Sequence, residues 1–154
     1  MKIRFRLATK NDVGIYVHIA KRVESPINLA ITDTAEALAE FHRVTVFIIV
    51  HEDQDVGFIS HKDKRDDNPN PHAYISELAV DPDFQGRGIG GNALEMLLSM
   101  LDDEGFSTID LVTHPDNPAK RLYERHGFKV EGRIENFMDS GTPRLKLVRY
   151  KPSV

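Results

Sequence analysis

The 154-residue chain contains no cysteine. Disulfides, thiolate nucleophiles, thiolate zinc sites and iron–sulfur ligation are therefore excluded, and a reducing cytoplasm is the expected compartment. Basic charge is not in excess either. The 20 lysines and arginines face 24 acidic residues, for a formal net charge of -4, so no global attraction to a nucleic-acid backbone is expected and any phosphate ligand needs a local site. Long apolar runs are missing as well. Residues 46–50 form the longest, far short of the roughly 20 residues that span a bilayer. Residues 1–10 scatter Lys2, Arg4, Arg6 and Lys10 among single apolar residues and lack the apolar centre of a signal peptide, so neither a membrane segment nor export by that route is expected. The histidines His18, His42, His51, His61, His72, His114 and His126 are never three or four apart, which leaves no local metal motif.

What remains is an ordinary globular composition, 40% hydrophobic and 29% charged, at the length of one domain, 1–154. Ile3, Phe5 and Leu7 alternate with Lys2, Arg4 and Arg6, predicting a strand with one buried face. Thr9 and Asp12 form a capping-box pattern ahead of Val13, Tyr16, Val17 and Ala20 at helical spacing, and Ser25-Pro26 stops that helix. A second helix is predicted over 34–43, with Ala37, Leu38 and Phe41 inward. Residues 44–52 and 56–62 read as a hairpin and 73–80 as a fourth strand. Between them the charged, proline-containing stretch 63–72 reads as an exposed, mobile loop. Ala93, Leu94, Leu97, Leu98 and Leu101 mark a helix ending near Gly105. Residues 107–113 follow as a strand, then a short helix with Asn117 as N-cap and Pro118 at its first position, closed by Gly127. Two last strands cover 128–134 and 144–150. The order βααβββαβαββ predicts an α+β (mixed α/β) fold whose sheet is mixed rather than wholly parallel.

The richest chemical signal is Gln85-Gly86-Arg87-Gly88-Ile89-Gly90-Gly91, directly before an apolar-periodic helix. Glycines let the backbone approach a ligand closely, and the free amides of a helix start favour an anion, so the run reads as a diphosphate cradle with Arg87 as an added cation. Gly86, Gly88 and Gly91 also satisfy G-x-G-x-x-G, with Asp110 downstream. The context is wrong for a dinucleotide fold: five residues separate the glycines from the strand, and only 63 follow Gly91. A P-loop is excluded because no Gly-Lys-Ser or Gly-Lys-Thr occurs.

The stretch 78–90, LAVDPDFQGRGIG, followed by Asn117, Ala119, Leu122-Tyr123 and Gly127-Phe128, resembles the GNAT superfamily of N-acetyltransferases. Gln85, Gly88 and Gly90 carry the Gln-x-x-Gly-x-Gly core, and residues 117–128 carry its second block without a gap. The resemblance implies a three-layer fold with a twisted mixed sheet of about seven strands flanked by about four helices. It implies acetyl-CoA as co-substrate, its pantetheine arm on the backbone of Leu78, Ala79 and Val80, and its diphosphate on Gly86, Arg87, Gly88, Ile89, Gly90 and Gly91. It further implies Asn117, with Ala119 beside it, on the pantetheine side, and Tyr123 as proton donor to departing coenzyme A.

An attacking amine must lose a proton, which asks for a carboxylate or histidine nearby. Glu77, next to the place where the resemblance implies that the fourth strand splays from the fifth, is the first choice; His51, His61 and His114 are substitutes, and His126 suits the helix terminus. Asp63, Asp66 and Asp67 alternate with Lys62, Lys64 and Arg65 and read as solvated charge. Acceptor contacts are expected from the irregular link 24–33, including Asn28. The expected function is direct acetyl transfer in a ternary complex, since no cysteine can carry the group, to a primary amine of a small molecule. Alternatives are a protein amino terminus or lysine as acceptor, or a non-catalytic acetyl-CoA sensor. A homodimer through residues 144–150, read as an exposed edge strand, is left open.

Overall fold

The computed structural model describes residues 2–64 and 71–152. Its elements follow the predicted order: β1 (Ile3–Leu7), α1 (Val13–Val23), α2 (Thr34–Arg43), β2 (Thr45–His51), β3 (Gln54–Asp63), β4 (His72–Val80), α3 (Ile89–Asp103), β5 (Thr108–Thr113), α4 (Ala119–Arg125), β6 (Lys129–Ile134) and β7 (Arg144–Tyr150). One seven-stranded sheet runs β1-β2-β3-β4-β5-β7-β6, antiparallel everywhere except between β4 and β5. Most of the loop expected over 63–72 lies outside the described residues.

Strand alternation splits the core into two layers. Val46, Ile48, Val50 and Phe58 pack under α1 and α2 with Tyr16, Ile19, Ala20 and Ala37. Ile49, Val56, Ile59, Ile109 and Leu111 pack under α3 with Leu94, Leu97 and Leu101, joined by Tyr123 and Phe128 of the α4 region. The sheet is therefore covered on both faces, giving the three layers expected.

Local signals explain most boundaries. Thr9 donates its amide to Asp12 Oδ2 at 2.8 Å and closes the capping box that feeds α1. Asp33 caps α2 through the Glu36 amide at 3.0 Å. Gly127, at φ +93, ends the α4 turn, where His126 Nδ1 reaches the Leu122 carbonyl at 2.9 Å. At Gly57 a Cβ would stand 2.3 Å from the Ala79 carbonyl oxygen, so only glycine lets β3 and β4 approach at that point.

Three expectations are corrected. Leu7, predicted inward, is 60% exposed, because it ends an edge strand that leads out into the capping turn. The α4 helix starts at Ala119 with Pro118 as its helical cap residue, one position later than predicted, while Asn117 Oδ1 still accepts from the Ala119 amide at 2.9 Å. The last strand is not an edge: β7 is hydrogen-bonded to β5 on one side and β6 on the other, so the edges are β1 and β6, and β7 offers no free ladder to a second copy.

Candidate active site

The site begins as a gap in the sheet. Although β4 is nine residues long, it pairs with β5 only from His72–Tyr74 to Thr108–Asp110. Past that point the strands diverge. Asp81 donates to the Val56 carbonyl at 2.8 Å, and the alternation of an extended chain then turns the N–H and C=O of Leu78 and Val80 away from β3, toward the gap. The main chain of Ala79 faces β3. Of the three backbone positions expected to meet a pantetheine arm, Leu78 and the Val80 N–H thus face the gap. Gln85 Nε2 already occupies the Val80 carbonyl at 2.9 Å and ties the following loop to the strand end.

A bulge in β4 decides what else faces this gap. Ser60 pairs with Glu77, but His61 pairs with Ile75, leaving Ser76 as the extra residue. Ala73 and Ile75 point into the α3 layer before the bulge, and Leu78 and Val80 do so after it. Without the extra residue Glu77 would share the face of Ile75, inside the α3 core. With it, Glu77 shares the α1 face with Ala79 and accepts a hydrogen bond from the Tyr16 hydroxyl.

The glycine loop stands at the end of β4. Gly86 and Gly88 have φ +79 and +83, which side chains rarely adopt. Gly88 caps α3, and the first helical bond runs from the Asn92 amide to its carbonyl at 3.0 Å. The amides of Ile89, Gly90 and Gly91 accordingly have no intrahelical acceptor and point out of the helix start. Arg87 lies over the Phe84 ring at 5.3 Å, exposed beside them. Asp81 holds the turn before the loop by accepting from the Asp83 amide at 2.9 Å and from Arg22.

A cleft of about 980 Å³ connects the β4–β5 gap with Gln85 at the foot of the glycine loop, while residues 86–91 themselves stand outside its lining. Glu77, Leu78, Ala79, Val80, Gln85, Asn117, Ala119 and Tyr123 all line it, as do residues 27–31 of the irregular link, Asn28 among them. Tyr123 comes from the α3 and α4 face and Glu77 from the α1 face, so the cleft passes through the opening between β4 and β5. Burial pushes the Glu77 carboxyl up to about 7, with the Tyr16 hydrogen bond opposing and the Glu40 charge adding. Burial likewise pushes the Tyr123 hydroxyl to about 12. One side of the opening therefore carries a carboxyl able to take up a proton near neutral pH and the other a protonated phenol able to give one up.

The histidines separate cleanly. His51 binds the Lys2 carbonyl with Nδ1 at 3.0 Å, away from the cleft. His61 shares the α3 face with Ile59 and stacks on Phe47, its charged form disfavoured by burial. Only His114, whose Nδ1 accepts from the Asp116 amide at 3.0 Å, lines the cleft. Three residues that matter here are invisible to motif reading: Tyr16, Ser76 and Arg144. For Ser76 a signal exists, since the inward apolar positions of β4 run 73, 75, then 78, 80, a break of phase that marks a bulge.

Residues 18–128 match the model of the acetyltransferase (GNAT) family. The mycothiol acetyltransferase of Brachybacterium faecium is 30% identical over 127 residues, 79% of this chain, which spans 38% of that protein's length. The ribosomal-protein-S18-alanine N-acetyltransferase of Escherichia coli superposes with a TM-score of 0.81 at 22% identity, covering 99% of this chain and 96% of the other. AAC(6')-Ib in complex with ribostamycin and coenzyme A superposes at 0.77 and 19% identity, covering 98% and 94%. The family match covers both signature blocks and the β4–β5 opening between them, and the chain belongs to the GNAT acetyltransferase family.

Proposed function

We propose that the chain is an acetyl-CoA-dependent N-acetyltransferase that transfers the acetyl group directly to a primary amine of a small molecule. The observation that carries this reading is the meeting of Glu77 and Tyr123 in one cleft through the β4–β5 opening. The main-chain groups of Leu78, the Val80 N–H and the outward amides of residues 89–91 suit an amide-rich arm ending in a diphosphate. Bound acetyl-CoA supplies an acetyl thioester. Glu77 takes a proton from the acceptor ammonium, so that the amine nitrogen has a lone pair to bond the acetyl carbon. As the carbon–sulfur bond breaks, Tyr123 gives its proton to the departing sulfur, and the second proton leaves the acylated nitrogen by way of solvent and restores the phenol, giving a neutral amide and a thiol. Tyr16 orients the Glu77 carboxyl.

A protein amino terminus is the second reading, favoured by the likeness to the ribosomal-protein-S18-alanine enzyme along nearly the whole chain. A panel of small amines and short peptides, followed by acetyl-CoA-dependent thiol release, tests both. Turnover of small amines is expected. Turnover of peptides alone would select the second reading, and a flat panel with measurable acetyl-CoA binding would leave only an acetyl-CoA sensor.

A further inference from the structure

Arg144 opens β7 and is 4% exposed. Its Nη1 donates to Thr142 Oγ1 and to the Pro143 carbonyl, each at 2.9 Å. The guanidinium lies 5.7 Å from the Phe137 ring centre. Nη2 is buried without a hydrogen-bond partner, and no carboxylate among the described residues offsets the burial of the Arg144 charge. Arg144 is among the residues that line the cleft. A buried guanidinium without a counter-ion carries an uncompensated desolvation cost, and burial does hold its pKa below the usual arginine value. Such a group is expected to gain from an anion that arrives with a ligand.

Strand register assigns Arg144 to one half of the cleft. Tyr74 of β4 pairs with Asp110 of β5, which pairs with Val148 of β7. Alternation along β7 puts Lys146 and Arg144 on that same face. Glu77 shares it through the Ser76 bulge, whereas the glycine loop feeds α3 on the opposite face. Arg144 therefore belongs with the base and the acceptor. Of the three arginines that line the cleft, Arg22 is paired with Asp81 and Asp83 and Arg43 with Glu40, which leaves Arg144 as the one without a carboxylate partner among the described residues.

We propose that Arg144 seats the carboxylate of an acceptor that carries amine and carboxylate on one small molecule, an amino-acid-like substrate. Its ammonium end faces Glu77 and Glu40, its carboxylate end the Arg144 guanidinium, whose Nη2 must turn out of its buried position to meet it. This inference rests on the transferase reading above and narrows its substrate class.

The test uses amino acids, their carboxamides, and an amidated dipeptide with an acidic second residue. Wild-type protein should favour each acid over its carboxamide by at least about tenfold in kcat/KM, since a site built around a polar partner rejects the analogue that lacks it. The carboxamide has the more readily deprotonated amine, so the comparison is biased against the proposal. Arg144→Gln should bring the ratio near one with acetyl-CoA affinity unchanged, and Arg144→Lys should fall between. Calorimetry of the same acids against the coenzyme A complex gives a readout without turnover: binding should weaken at least about tenfold in Arg144→Gln. Should Arg144→Gln fail to fold, the wild-type acid/carboxamide ratio and Arg144→Lys still decide.

Equal use of acid and carboxamide overturns the seat and leaves the transferase intact. Binding through Arg144 without transfer to any amine keeps the seat and overturns the transferase; no transfer and no binding removes both. Preference for the acidic dipeptide would reassign the surface to peptides. Loss of acetyl-CoA affinity with an unchanged ratio would reassign Arg144 to the donor.

Discussion

The Tyr16 hydroxyl donates to Glu77 Oε1 across the interface between α1 and β4. Tyr16 is fully buried, wedged between Phe41 and Phe58 with ring centroids at 5.2 and 4.2 Å, so its hydroxyl has little freedom to leave the carboxylate. The phenol is pushed far above its ordinary value, first by burial and then by the Glu77 charge, and stays a donor at every working pH. The contact thus holds the carboxyl of Glu77 in a single orientation and stabilises its ionised form.

Tyr16→Phe should raise the pKa of Glu77 further, because the hydroxyl bond favours the charged carboxylate. A hydrogen bond to a charged group is worth about 1.5 to 3 kcal/mol, so the acidic limb of the kcat/KM profile should move up by roughly one to two pH units. The aromatic packing remains. A profile that overlays wild type would show that Glu77 does not set that limb.

Glu77→Gln keeps the shape and removes the basicity. Turnover at neutral pH should fall, and part of it should return as pH rises and more amine is already neutral. Stability should change with the opposite sense. The folded-state pKa of about 7 lies above the ordinary carboxylate value, so the folded chain holds the extra proton, and stability is full below pH 4 to 5 and lost as pH rises through 7. The glutamine variant lacks that decline, and thermal unfolding at pH 5 and pH 8 should show a smaller difference than wild type. A higher Michaelis constant with unchanged turnover would mean that Glu77 only attracts the ammonium.

These two residues also mark where reading the sequence stops. The order of elements, the bounds of α2 and β7, and the glycine loop all follow from near-neighbour rules: periodicity, caps and glycine positions. Each of those features lies within a few residues. Strand order does not. Nothing local says that β7 inserts between β5 and β6, and the expectation of a free edge there failed for that reason. Glu77 is identifiable as a carboxylate beside a splay, yet its partner lies 61 positions away and is indistinguishable in the pattern of α1 from an apolar core residue. Arg144 reads as one more charge at a strand start until the fold encloses it.

The cradle can be tested with two glycines that differ in strain. At Gly90 a Cβ would meet Val80 Cγ2 at an ordinary 3.7 Å and φ is not positive, so Gly90→Ala should fold normally. Any loss of acetyl-CoA affinity in that variant then reports contact with the donor itself. Gly88 at φ +83 tolerates no side chain without strain, and Gly88→Val should weaken acetyl-CoA at least tenfold, about 1.4 kcal/mol or more. Unchanged calorimetric affinity in folded samples of both would place the diphosphate elsewhere.

Tyr123→Phe removes one oxygen from a ring that is packed edge-on against Phe128 at 5.9 Å within the α3-side core. The fold should hold, since the aromatic contact with Phe128 survives the loss of the hydroxyl. Donor affinity should stay close to wild type for the same reason. The transfer step should slow by roughly 10- to 1,000-fold, the usual worth of a positioned acid. With a pKa of about 12 the phenol is protonated throughout the working range, so the loss should be nearly independent of pH between 6 and 9, unlike the loss in Glu77→Gln. Single-turnover measurement with acceptors of graded basicity separates the two roles. Should Tyr123→Phe retain the full rate, the departing sulfur takes its proton from solvent, and Tyr123 is left as a wall of the opening.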